Sequence, residues 1–194
     1  MLNKMAKKLS NRLLKNEVIT EDVIDVCVYG FELIISSLVN TLVIILAGSL
    51  LGEIVQTMSF LFVFILLRSF TGGYHANTYT KCSIVTFSTY VTVLLLSHYI
   101  NIPKFAYMIL LILGVIILAI FAPIKNPNKQ LTELKIRIFK ILSLFIFIMF
   151  ITVGILLIDL NSSISNVIYF ALMSVLFLLF IKEKKERRTQ NEGI

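Results

Sequence analysis

Residues Phe105–Ala122 read FAYMILLILGVIILAIFA, eighteen positions without a charged side chain. Because a helix rises about 1.5 Å per residue, a run of this length covers most of the roughly 30 Å hydrocarbon core of a bilayer. The rest of the chain has the same character, since 58% of its 194 residues are hydrophobic and 15% are charged. Soluble domains carry a markedly larger charged fraction. The composition therefore predicts an all-α integral membrane protein with one domain, residues 1–194.

Six apolar runs are long enough to cross a bilayer, for which about 17 to 20 residues suffice. The second run is the least apolar, because it contains Gln56 and Thr57 and because the charged end of Arg68 must extend to the interface. A six-helix transmembrane bundle is expected over residues 33–181. The six runs are Leu33–Leu51, Ile54–Phe70, Cys82–Ile100, Phe105–Ala122, Ile141–Ile158 and Ile164–Ile181.

The basic residues fall almost entirely on one side of these six spans. The N-terminal segment, the connections after the second and fourth spans and the C-terminal tail together hold 17 of the 18 Lys and Arg residues, and Lys104 is the exception. Cytosolic loops of membrane proteins collect Lys and Arg. We therefore predict a multi-pass membrane protein, with both termini cytosolic and a basic cytosolic tail over residues 182–194.

Residues 1–25 have the pattern of an amphipathic helix, in which Met5, Leu9, Leu13 and Leu14 recur at helical spacing with basic residues between them. Such a helix lies in the membrane interface with its lysines toward anionic lipid. A basic flank that only fixes the orientation of the first span explains the same residues equally well, so both interpretations stay open.

The connection after the second span concentrates the reactive side chains of the chain. It reads RSFTGGYHANTYTKC from Arg68 to Cys82. Cysteine is the side chain most easily made nucleophilic, and the positive end of a helix starting near Cys82 favours a thiolate. His75 is the candidate general base and acid. This connection is the strongest candidate for a catalytic site facing the cytosol.

The spacing of His75 and Cys82 sets a structural condition on that site. In one straight helix the two residues would share a face but lie roughly 10 Å apart, which is too far for a hydrogen bond. We therefore predict that residues 71–80 are not one continuous helix. The pair Gly72 and Gly73 gives the backbone freedom to bend just before His75.

Structural interpretations of the same residues remain open at this point. A Cys at a span boundary is usually a small packed residue, and a His in a polar loop is usually only solvated. Arg68 is more often an interfacial anchor than a site residue. Glu32 opens the first span, where a carboxylate either supports a site or marks the interface.

Several other polar residues are expected to be structural. We predict that Cys27 is a structural thiol, that His98 is solvated at the interface, and that Ser36, Ser37 and Asn40 form hydrogen bonds between helices. Two His and two Cys spread over the chain give no zinc-ligand spacing, so no metal or other cofactor is expected. The basic tail lacks interleaved aromatic residues, so no nucleic-acid partner is expected.

The pattern RxxxGGxHAxxxxxC over Arg68–Cys82 resembles the accessory gene regulator B (AgrB) family of bacterial quorum-sensing proteases. The chain length, the six spans, the basic N-terminal segment and the elements Ala122-Pro123 and Asn128-Lys129 extend the resemblance over essentially the whole chain. Gln130 departs from the pattern, because family members often have Pro there. This departure affects the fourth connection and leaves the Cys–His pair untouched.

The resemblance implies a membrane cysteine endopeptidase that processes an AgrD-type propeptide. Cys82 would be the nucleophile, His75 its general base and acid, and Arg68, Gly72 and Gly73 supporting residues. Attack on the bond before the acidic C-terminal tail of the propeptide would release that tail and form an acyl-thioester. A Cys or Ser within the propeptide would then close a thiolactone or lactone ring.

The resemblance also bears on partners. Positive loops attract an acidic tail, which makes Lys125, Lys129 and Lys135 candidate residues for binding it. Glu32 is kept as a further site-supporting candidate, and a homodimer is similar to what the family forms. The alternative to an enzyme is a non-catalytic membrane transporter or a peptide-binding scaffold, and either would remain active without Cys82.

Overall fold

The computed structural model describes residues 2–71, 79–123 and 133–192, with side chains described for residues 3–71, 82–123 and 133–182. These residues form helices joined by short connections. A 3-10 turn over Glu21–Val23 precedes the second helix. The α-helices are α1 Leu2–Lys15, α2 Ile24–Leu50, α3 Ile54–Thr71, α4 Tyr79–Tyr99, α5 Lys104–Phe121, α6 Glu133–Leu157 and α7 Ser162–Glu192.

The six helices α2 to α7 are long and apolar enough to cross a membrane, which confirms the predicted number of spans. Three of these helices extend beyond the predicted apolar runs. α2 begins at Ile24 and α6 at Glu133, each well before the predicted run, and α7 continues to Glu192. Hydropathy marks only the bilayer-buried part of a helix, whereas backbone hydrogen bonding continues into charged flanks. The predicted tail over residues 182–194 is thus mostly a continuation of α7.

The N-terminal helix is shorter than predicted. α1 ends at Lys15 instead of continuing to residue 25. Glu17 lies in the left-handed region with φ 56, and the Val18 backbone N–H donates to the Leu13 carbonyl over 3.0 Å. A hydrogen bond from the residue after a left-handed position to the carbonyl five residues earlier is a common way for a helix to end.

α1 packs against α2 through its small residues. Ala6 and Ser10 lie one turn apart and are fully buried, and small side chains allow two helices to approach closely. Met5 and Leu9 of the predicted apolar stripe are exposed instead. The stripe that packs most closely against α2 is therefore the small one. Met5, Leu9 and the basic side chains of α1 are exposed, whereas Leu13 and Leu14 are half-buried.

α7 is the central helix of the bundle. It packs against α3, α4, α5 and α6. Its buried side chains alternate with partly exposed ones along most of the span, as expected for a helix surrounded by others. They include Val167, Ala171, Leu172, Val175 and Leu179. By contrast, α2 contacts α1, α3 and α4 and lies at the periphery.

Polar contacts join the helices at the end of the bundle that contains Lys104. Lys104 Nζ lies 2.6 Å from Asp159 Oδ2, which links the start of α5 to the residues that follow α6. Asn166 of α7 donates to the Ser97 carbonyl over 3.2 Å and accepts from the Ile102 backbone N–H over 3.1 Å. These contacts fix how α4, α5, α6 and α7 are shifted relative to one another along the bundle. The opposite end of the bundle contains Cys82 and is called the Cys82 end.

A second buried contact joins α5, α6 and α7. The Tyr107 hydroxyl donates to the Ser165 carbonyl over 2.5 Å, and the Ser165 hydroxyl donates to the Gly154 carbonyl over 2.8 Å. Gly154 allows this arrangement, because a Cβ atom there would lie 2.5 Å from Cε1 of Tyr107. The absence of a side chain at Gly154 is therefore what admits the Tyr107 ring between the helices.

Candidate functional site

Arg68 and Cys82 meet at the Cys82 end of the bundle. Arg68 lies in the last turn of α3 and Cys82 in the first turn of α4. Arg68 Nη2 donates to Cys82 Sγ over 3.6 Å. In one continuous helix, residues fourteen positions apart would be about 21 Å apart. The contact therefore brings the end of α3 and the start of α4 together, and residues 72–78, on which the predicted break in the helix falls, lie outside the described residues.

Three further contacts fix the guanidinium and the first turns of α4. Arg68 Nη1 donates to Thr86 Oγ1 over 3.3 Å, and Arg68 Cζ lies 5.3 Å from the centre of the Phe64 ring. The Thr86 hydroxyl in turn donates to the Cys82 carbonyl over 3.0 Å. Arg68 thus bridges α3 to α4.

A cavity of about 300 Å³ lies between α2, α3 and α4, and both Arg68 and Cys82 line it. A volume of this size is at the lower end of the range typical of small-ligand sites. The lining is mixed: α2 contributes mainly polar side chains, and most of the apolar residues are buried. The polar residues from α2 are Ser36, Ser37, Asn40 and Thr41, and the apolar residues are Ile44, Leu61 and Phe64, which are buried, and Ile65, which is exposed.

Three of these α2 residues, Ser36, Ser37 and Asn40, were expected to form hydrogen bonds between helices, and among the described residues they form none. Within the part of the chain that the structure describes, the side chains of Ser36, Ser37, Asn40 and Thr41 line the cavity and have no hydrogen-bond partner. Thr41 was missed altogether as a candidate. The available signal was the grouping of four polar side chains within six residues of an otherwise apolar span.

Glu32 lies on the same face of α2, one helical turn before Ser36. Its Oε1 accepts a hydrogen bond of 2.7 Å from Asn3 of α1. The Glu32 carboxylate therefore lies where α1 contacts α2, one helical turn before the first residue of α2 that lines the cavity. The other cysteine, Cys27, is a half-buried free thiol in the first turn of α2.

His98 is remote from the cavity. It lies sixteen residues beyond Cys82 on α4, which corresponds to about 24 Å along the helix. Its ring is exposed and makes an edge contact with Tyr99 at a centroid distance of 5.3 Å. The structure places His98 at the end of α4 opposite Cys82, and this distance excludes a role beside Cys82.

The remaining candidates fall largely outside the described residues. Lys135 is exposed near the start of α6. The general base His75, the pair Gly72 and Gly73, and the tail-binding candidates Lys125 and Lys129 all lie outside the described ranges. The described half of the candidate site is thus Cys82, Arg68, Thr86 and the cavity beside them.

Comparison with known proteins gives two matches and one negative result. The model of the family described as accessory gene regulator B, AgrB, matches residues 3–180. A protein of Clostridium perfringens strain SM101 described as AgrB-like is 22% identical over 161 residues, which cover 76% of this chain and 75% of the relative. No solved structure matches the chain. The chain therefore belongs to the accessory gene regulator B family of membrane proteins, which supports a role in agr quorum sensing.

Proposed function

We propose that this protein is a membrane cysteine endopeptidase that cleaves an AgrD-type propeptide and promotes its cyclisation. The observation that carries the proposal is the contact between Arg68 Nη2 and Cys82 Sγ in the wall of a cavity. A thiol that served only to fill space in the core would not require a guanidinium or a cavity beside it. The family match, in which peptide processing is the linked activity, supports the same conclusion.

Cys82 is the nucleophile and His75 its general base and acid. The thiol gives its proton to the imidazole as the sulfur attacks the carbonyl carbon of the scissile bond. The C–N bond then breaks, the imidazolium returns the proton to the leaving amine, and the acyl group remains on Cys82 as a thioester. No metal takes part in this sequence of steps.

Arg68 supplies the fixed positive charge for that step. A guanidinium has only donors, and contacts with Thr86 and Phe64 hold it in one place. Positive groups that are already in position when negative charge develops lower the barrier more than mobile ones. We assign Arg68 to the stabilisation of charge on the sulfur and on the oxygen of the tetrahedral intermediate.

Cyclisation follows from the thioester. A thiol within the propeptide attacks the acyl carbon, the new C–S bond forms, and Cys82 leaves as a thiolate that recovers its proton. Exchange between two thiols is nearly isoenergetic, so no further energy source is required. A hydroxyl in place of that thiol would give a lactone. A site at the membrane surface limits competition from water.

The substrate reaches this site from the cytosol. The distribution of the basic residues supports a cytosolic position for both termini, the Cys82 end and the connection before α6. Lys125, Lys129 and Lys135 then attract the acidic tail of the propeptide, and a homodimer is the proposed assembly.

A transporter or a peptide-binding scaffold is the competing proposal. Neither requires a nucleophile, so each predicts full activity in Cys82→Ala. The deciding experiment co-expresses the chain with an AgrD-type propeptide and follows propeptide length and adducts of the protein by mass spectrometry. We expect a shortened product with the native chain and none with Cys82→Ala or His75→Ala. Normal cleavage by either variant would refute the endopeptidase.

A further inference from the structure

We infer that the cavity between α2, α3 and α4 binds the segment of the peptide that stays attached to Cys82, and that Asn40 and Ile44 set its sequence preference. This inference rests on the proposed function, since it names the part of the substrate that occupies the cavity. The polar residues of α2 would bind the peptide backbone, and the apolar end of the cavity would receive a side chain close to the scissile bond.

The polar wall has the geometry of a backbone-binding strip. Ser36, Asn40 and Ile44 follow one another at intervals of four residues, so they form a row about 12 Å long on one face of α2. An extended peptide advances at most about 3.3 to 3.6 Å per residue, so the row matches about three residues. Asn40 both donates and accepts hydrogen bonds, as a peptide unit requires.

The unused hydrogen-bonding capacity of this wall points to a ligand. α2 is a membrane-spanning helix, and polar side chains in such helices normally bond to a neighbouring helix. Within the described part of the chain Asn40, Ser36, Ser37 and Thr41 have no such partner and line a cavity instead. A peptide backbone that enters the membrane needs the same groups, because it loses its bonds to water there.

The apolar part of the cavity is suited to an apolar side chain. Ile44 is completely buried and Leu61 and Phe64 nearly so, and the half-exposed Ile65 completes the apolar lining on α3. None of these four side chains has a hydrogen-bond donor. A large aliphatic side chain placed there removes apolar surface from water, whereas a carboxylate would have only Arg68 to pair with, and that guanidinium already donates to Cys82 and Thr86.

Charge determines which half of the substrate enters. The fragment released by cleavage ends in a carboxylate, and moving that charge toward the middle of the bilayer is costly. The basic residues gather at the Cys82 end and attract the released fragment outward. The acyl fragment is joined to Cys82, which lines the cavity, and its last side chain is the one nearest to the sulfur.

The test uses the full chain with Cys27→Ser, so that Cys82 is the remaining thiol. Acetyl-dipeptide chloromethyl ketones ending in Leu, Phe, Ala or Glu are added to the protein in membranes, and the alkylation rate is followed by intact mass. The thiolate forms a C–S bond and chloride leaves. Iodoacetamide, which has no peptide side chain, measures the reactivity of the thiol alone.

We expect the Leu reagent to react at least about tenfold faster than the Glu reagent. Asn40→Ala should slow the Leu reagent about tenfold through loss of a hydrogen bond, with the iodoacetamide rate unchanged. Ile44→Ala should shift the preference from Leu toward Phe, because it enlarges the apolar end. Ser49→Ala at the far end of α2 and Val43→Ala on its exposed face are the matched controls, and both should behave like the parent.

Two outcomes would overturn the inference while leaving the endopeptidase intact. One is an equal rate for all four reagents in a protein that still processes its propeptide. The other is an equal fall in the iodoacetamide and peptide reagent rates in Asn40→Ala, which would make Asn40 a packing residue. Failure of the proposed function is recognised separately, by propeptide cleavage that continues in Cys82→Ala.

Discussion

The guanidinium of Arg68 lies 3.6 Å from the sulfur of Cys82, although the two residues come from different membrane helices. Thr86 and Phe64 hold the guanidinium from two further directions. A charge fixed in this way at a helix junction is suited to electrostatic stabilisation, because it needs no rearrangement when negative charge appears.

Replacing Arg68 by Gln should lower propeptide processing by about 100-fold or more, which is the scale of losing a donor placed against developing charge. Product formation in membranes, measured over time by mass spectrometry, checks this. Arg137→Gln removes the same charge from an exposed position on α6 and is the control. Equal losses in the two variants would show that Arg68 acts only through total charge.

The proposed pair of Cys82 and His75 can be tested by a disulfide. Two cysteines are joined only when their Cα atoms lie within about 7 Å. In the Cys27→Ser chain, His75→Cys should form a disulfide with Cys82 under mild oxidation, detected as the loss of two free thiols. Glu53→Cys, at the opposite end of the bundle, should not. Absence of the disulfide in the first variant would contradict a folded-back His75.

The proposed orientation predicts the accessibility of new cysteines. In a chain with Cys27→Ser and Cys82→Ala, a membrane-impermeant maleimide applied to intact cells should label Lys104→Cys. Lys135→Cys should be labelled only after the membrane is opened, because it lies on the side that carries most of the positive charge. The reverse pattern would invert the orientation and move the candidate site outside the cell.

Binding of the acidic tail should depend on charge at the connection before α6. Reversing Lys129 and Lys135 to Glu should weaken substrate capture and raise KM more than it lowers kcat, with a larger effect at low salt. Lys184→Glu with Lys185→Glu makes the same change of charge in the tail and is the control. Unchanged processing in the first pair would remove the tail-binding role.

Gly154 should not tolerate a side chain. A Cβ atom there would lie 2.5 Å from the Tyr107 ring, so Gly154→Ala should lower stability by about 1–3 kcal/mol, the usual cost of overpacking. Thermal unfolding in detergent measures this change. Gly30→Ala is the matched control, because a Cβ atom at Gly30 meets nothing within 4 Å and Ala is the better helix former. Equal melting temperatures would contradict the close packing of α5 and α6.

The number and approximate position of the spans could be predicted from the sequence because each hydrophobic run is long enough to cover most of the hydrocarbon core of the bilayer. The starts of α2 and α6 were not accessible from hydropathy, because their first turns contain the charged residues Asp25 and Glu133 and lie outside the apolar runs.

The candidate site was only partly predictable. Arg68 and Cys82 stand out by residue type and by their pattern, but their contact depends on how α3 and α4 pack. The polar wall of the cavity could not be assigned from sequence, because the same serines and Asn40 would serve equally well between two packed helices. Whether a face of α2 packs against another helix or lines a cavity depends on how all the helices pack together.

α2 contributes only Ile44 and Gly48 as fully buried residues, whereas α7 forms the centre of the core. Most positions of α2 can therefore change without loss of the interactions that keep the protein folded. A related chain could acquire a different signal peptide by altering this one peripheral helix, while the nucleophile and the central scaffold stay as they are. The exception is Ile44, which lines the cavity and also belongs to the core, so a change there would affect both selectivity and folding.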